Sequence, residues 1–191
     1  MAGCQSGAAT RISNDFPLAI FIHCFSHRLN LSVMLMIKVK PVHDMFDTVQ
    51  VISDYFNDSA KRYERFQEVM LKELGKEEGI TKLIDMCRTR WIQRIDGLTC
   101  FKEAYGATYK ALKSIPKGDL FNDTKWNAES TAAATGLAVS MEKFEFILAM
   151  VVCQEIMQYI YSLTISLQSS TLAIVEAYQE VATVIETLEE L

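Results

Sequence analysis

The chain has 191 residues, half of them hydrophobic, with only 8 Gly and 3 Pro, a composition that excludes an intrinsically disordered polymer and suffices for one packed core. Its net charge of -5 argues against a free-standing non-specific DNA binder, whose affinity rests on phosphate neutralisation. The charge is uneven: residues 1–120 carry 17 Lys/Arg against 14 Asp/Glu and residues 121–191 carry 2 against 10, which leaves room for a basic patch on the first half.

Residues 1–16 are small and polar and predict a loop or short helix. Leu18 to Ile22, bounded by Pro17 and a polar turn, suits a short buried strand at about 18–23. Helical periodicity begins at Leu29 and predicts a helix over about 29–38. Phe46, Val49 and Ile52 or Val51 then mark a helix from Asp44 to Phe56, with Asp44 as its cap after Pro41. Ser59 introduces another, Ala60 to about Leu74, with Tyr63, Phe66, Met70 and Leu74 on one face. Residues 90–115 predict one long helix ending at Pro116, followed by a polar connection to about residue 128. Two or three further helices are expected, over roughly 128–140, 141–168 and 170–191. In the last, Thr171, Ile174 or Val175, Tyr178, Val181 and Ile185 form an apolar stripe, and Glu176, Glu180, Glu186, Glu189 and Glu190 a solvated face. The fold class is therefore mainly α, with one strand near the start.

The five cysteines are odd in number and have no paired framework, which fits reduced thiols in an intracellular compartment. No secretory signal pattern opens the chain. The most apolar window, Phe146 to Cys153, is too short to span a bilayer before Gln154 and Glu155 interrupt it, so no membrane partner is expected.

Two constellations carry chemistry. Cys24-x-x-His27, with His23 beside it, offers half of a zinc site, but the second close pair of ligands is missing and no metal is expected here. On spacing, Cys24 packs in the core and His27 bonds locally. Arg88, Arg90 and Arg94 surround Trp91. On a helix, Arg90 and Arg94 stack at i, i+4 while Trp91 aligns with Ile95 and Leu98. Cations beside an indole suit a nucleic-acid contact, with phosphates held by the arginines and an unpaired base stacked on the ring. Sequence pattern alone favours the other reading, a core tryptophan packed with Ile95 and Leu98 beside a solvated arginine face, since aromatics at helical spacing are usually core. Trp126, Tyr105, Tyr109, Phe144 and Phe146 have no basic cluster nearby and read as packing residues. No phosphate loop, dinucleotide fingerprint or nucleophile elbow occurs.

Taken in order, Phe21-Ile22-His23-Cys24-Phe25-Ser26-His27-Arg28-Leu29-Asn30-Leu31, Tyr55 to Arg62, Cys87 to Arg94 and Phe144 to Gln168 resemble the hAT transposase superfamily, particularly its domesticated relatives with MYM-type or THAP-type zinc fingers. The resemblance implies a ribonuclease-H-like core interrupted by an all-helical insertion, here a partial core of one strand plus helix over 1–43 and a helical insertion region over 44–191. It implies nuclear localisation, DNA contact through Arg90, Trp91 and Arg94, and positions beside an active site for Cys24 and His27. The family's two Asp and one Glu hold divalent ions such as Mg²⁺. None of the three has a counterpart in this sequence, and Asp15, Asp44 and Asp47 do not match their positions. The expectation is a catalytically inactive fragment with residual DNA binding and no cofactor of its own. A helical protein–protein interaction module acting through the acidic C-terminal helices is the alternative.

Overall fold

The computed structural model describes residues 7–19, 25–36, 38–74, 82–83, 91–117, 126–169 and 173–190. Among them the architecture is helical throughout: α1 (Ala8–Asp15), α2 (Phe25–Met36), α3 (Lys40–Asn57), α4 (Ala60–Leu74), α5 (Trp91–Glu103), α6 (Tyr105–Lys117), α7 (Ala128–Met141), α8 (Phe144–Leu167) and α9 (Ile174–Glu189). Mainly α holds, and no strand occurs among the described residues. The expected strand at about 18–23 falls mostly outside them. Its first two residues, Leu18 and Ala19, lie instead in a turn closed by Ala19 N–H donating to the Phe16 carbonyl, and Leu18 is exposed.

Helix α3 begins four residues before the expected Asp44, at Lys40. Pro41 sits in its first turn, where its missing N–H is no loss, so the proline opens the helix instead of preceding it. Asp44 lies one turn in, and its carboxylate accepts from Lys40 Nζ at 2.6 Å rather than capping the helix. The turn to α4 follows the expectation closely: α4 starts at Ala60, and Ser59 Oγ accepts from the Arg62 amide. The expected single helix over 90–115 is two, α5 and α6, parted at buried Ala104. The i→i−4 ladder still passes through this residue, from Ala104 N–H to the Cys100 carbonyl and from Thr108 N–H to the Ala104 carbonyl, so the interruption is local. Pro116 stands inside the last turn of α6, not beyond it.

Helix α8 forms the centre. Its inward residues, Phe146, Ala149, Met150, Cys153, Met157, Ile160 and Leu163, repeat every three or four positions and face a core shared by helices packed on several sides. α8 touches α2, α3, α5, α7 and α9. α3 adds Met45, Phe46, Val49, Ile52 and Phe56, all nearly inaccessible, and the Phe56 ring lies 5.0 Å from that of Phe66 on α4. α6 and α7 pack closely through small side chains: Ala107 and Ala111 are buried on one, Ala134 and Ala138 on the other. α7 is capped by Asn127, whose Oδ1 accepts from Ser130 N–H at 2.7 Å.

At 24 residues and a window hydropathy of 1.5, α8 is long and apolar enough to cross a membrane, where the shorter Phe146 to Cys153 window was not. The central helix of a bundle passes the same test, and 44% of this window is buried within the fold. Phe144, expected to pack, is 74% exposed, because the buried phase of α8 starts at Phe146.

Candidate functional site

The described part of the Arg-Trp motif is the start of α5, and upstream of it residues 82 and 83 are pinned to the body. Leu83 is buried, and its carbonyl accepts from Asn57 Nδ2 at 3.2 Å, while the neighbouring Lys82 carbonyl takes a contact from Cys100 Sγ at 3.7 Å. Residues 82–83 are thereby tied to the end of α3 and the last turn of α5. α5 then starts at Trp91. Arg88, Arg90 and the Trp91 side chain lie outside the described residues, as does Cys24.

Arg94, one turn into α5, is only 7% exposed, and its guanidinium lies 5.5 Å from the centroid of the Phe46 ring. A guanidinium over a buried aromatic face gains cation–π attraction and covers apolar surface with its stem. It therefore fastens the start of α5 to α3. Ile95 and Leu98, expected on one face with Trp91, are both buried. The structure thus places Arg94 in the body of the protein with them. His27, expected beside an active site, lies exposed on α2.

Two polar clusters were not visible in the sequence. In the first, Tyr55 at the end of α3 donates its hydroxyl to the Ser130 carbonyl of α7 at 2.9 Å. Arg62 of α4 donates Nε to the Tyr55 carbonyl and lies 4.4 Å over the Tyr55 ring. Three helices meet there, and burial pushes the Tyr55 hydroxyl above its ordinary range, with the Arg62 charge opposing. In the second, Tyr109 donates to Glu142 Oε1, and Lys113 Nζ lies 3.2 Å from the same oxygen. These bonds, Tyr109's first, hold the Glu142 carboxyl below its usual range. Both clusters join segments about 30 to 75 residues apart in sequence, and no local periodicity signals such pairs.

The family's divalent ions find no fit among the described residues, where no group of three His, Cys, Asp or Glu could hold a metal. Asp44 and Asp47 share the exposed face of α3 with His43, whose Nδ1 is 3.1 Å from Asp47 Oδ2, while Asp44 is committed to Lys40. No catalytic step follows from these carboxylates. Cys153 is buried against α8's neighbours, and burial pushes its thiol up to about 11, which leaves it an unreactive packing residue at neutral pH.

No protein-family model matches the chain, and no solved structure matches it. It is similar to the human 52 kDa repressor of the inhibitor of the protein kinase, with 24% identity over 184 residues, covering 95% of this chain and 24% of that protein. The mouse protein of the same name is 22% identical over 183 residues, again 95% of this chain and 24% of the relative. The chain spans about a quarter of the length of the relatives it matches.

Proposed function

We propose that this chain is the helical part of an hAT-transposase-derived nuclear protein, catalytically inactive by itself, that contacts DNA at the start of α5. The segment before α3 is the remnant of a ribonuclease-H-like core, and the helical insertion runs from α3 onward. The ordered motifs and the distant similarity along 95% of the chain to a repressor support this assignment. The observation that carries the DNA contact is the Arg-flanked tryptophan of Cys87 to Arg94 in the sequence. Arg94 is buried over Phe46 and anchors the helix, so the contact falls to Arg90 and Trp91 at its N-terminal end. A helix N-terminus adds unsatisfied amide donors to such a place, suited to a phosphate.

The test is fluorescence anisotropy with a labelled DNA hairpin ending in an unpaired base, together with thermal melting. Trp91→Ala weakens binding about tenfold, since one base stacked on an aromatic ring contributes roughly 1–3 kcal/mol, and leaves the helical content largely intact. Arg94→Ala lowers the melting temperature instead, by removing about 2 kcal/mol of buried packing and cation–π contact. Equal DNA binding by parent and Trp91→Ala overturns the assignment.

A second role, docking of another protein on the C-terminal helices, is favoured by the exposed apolar side chains of α9. The similar human and mouse proteins are named as a repressor of the inhibitor of the protein kinase.

A further inference from the structure

Helix α9 has more apolar surface than α8, its main described neighbour, covers. It packs on α8 through Ala177, which is buried, and through the half-buried Val181, Val184 and Leu188. A second stripe, Val175, Tyr178, Ala182 and Ile185, runs beside the first, rotated by roughly 100° at 3.6 residues per turn. Every member is exposed, Val175 to 67%, Tyr178 to 59% and Ile185 to 51%. The spacing of three, four and three residues is that of a helix–helix seam, and it extends for about 15 Å along the axis at 1.5 Å per residue.

The surroundings of the stripe select its partner. Glu186 and Glu190 border it on one side and Glu189 lies in line with it one turn beyond Ile185, while Glu176 and Glu180 sit farther round the helix, on the groove of about 540 Å³ between α8 and α9. From residue 144 to residue 191 the sequence contains seven glutamates and no Lys, Arg or His. Two copies of α9 laid side by side in parallel would set glutamate against glutamate with no cation in either helix to relieve them, and an antiparallel pair would leave these glutamates without a cation, so a basic partner suits the stripe better than a second copy. We infer that the outer stripe of α9 docks an amphipathic helix of another protein, apolar along one seam and flanked by Lys or Arg. This rests on the docking role proposed above for the C-terminal helices and gives that partner's chemistry.

The probe is a labelled synthetic helix of three heptads with Leu at the seam positions and Lys at the flanking ones, compared with the same peptide carrying Gln or Glu in place of Lys. Binding to the full chain is read by anisotropy at low and raised salt. The Lys peptide binds at least about tenfold tighter than the Glu peptide, and the preference shrinks as salt rises. Tyr178→Asp with Ile185→Asp abolishes binding at an unchanged melting temperature. Glu186→Lys with Glu189→Lys reverses the order of the Lys and Glu peptides, a readout that stands even if the apolar variants fold poorly. Equal binding of all three peptides, abolished by Ile185→Asp, keeps the docking role but overturns the basic partner. A dimer in sedimentation that Ile185→Asp disperses gives the stripe to a second copy and likewise overturns it. No binding by any peptide removes the basic partner and the docking role together. None of these outcomes bears on Trp91 and DNA.

Discussion

Helices α3 and α9 are similar in length and both amphipathic, yet they end in opposite situations. α3 is enclosed by α4, α7 and α8, and Met45, Phe46, Val49, Ile52 and Phe56 along it are 4% exposed or less. α9 rests on α8, and of its apolar side chains with described burial only Ala177 is fully buried. The difference shows how little an apolar stripe says by itself. It fixes which face of a helix seeks cover, whereas the number of neighbours that topology supplies decides whether cover is found within the chain. α3 is part of a closed body; α9 is an arm with a face to spare.

The largest expected effect separates the two directly. Phe56→Ala removes a fully buried ring packed against Phe66 and costs about 3–5 kcal/mol in chemical denaturation. Ile185→Ala, on the outer stripe, costs roughly 0.5 kcal/mol or less, as for an ordinary surface change. Comparable losses from the two would break the distinction between body and arm.

A smaller, opposite effect is expected in α7. A Cβ at Gly136 would meet nothing within 4 Å, so Gly136→Ala raises the stability of the body by roughly 0.5–1 kcal/mol through helix propensity. A lower denaturation midpoint would contradict the packing described for α7.

The smallest effect concerns the polar tie between α6 and the α7–α8 turn. The Glu142 carboxyl is held below its ordinary value of 4.5, so its contribution is fully present above that pH and is lost as pH falls through the lowered folded value. Because the group is exposed, salt screens the contribution as well. The stability gap between the parent and Glu142→Gln should therefore close on acidification or at high salt. A gap that persists at acid pH would place the effect elsewhere than in this carboxylate.

The helices were largely legible in the sequence where side-chain chemistry marks their ends. Ser59 announced α4, and the buried phase of α4 at Phe66 and Met70 follows the expected spacing. Pro41 misled because a proline marks either the residue before a helix or its first turn, and only the structure shows the latter. The division at Ala104 left no trace, since neither Ala104 nor its neighbours interrupt helical periodicity. At the candidate site, Ile95 and Leu98 were readable as one face. Arg94 was not, because its burial depends on Phe46, which arrives from a helix some fifty residues earlier. For the same reason Phe144 looked like core: spacing cannot choose between two apolar phases of α8, and its neighbours take the one that includes Phe146.

The account is tested most directly by native-state hydrogen exchange on the intact chain, with and without the Lys-flanked helical probe. α3 amides should exchange only through global unfolding, and α9 amides through a local opening of clearly lower free energy. Adding the probe should raise the protection of α9 alone. Equal protection of the two helices in the free protein, or a probe that leaves α9 unchanged, would contradict a closed body carrying an open arm.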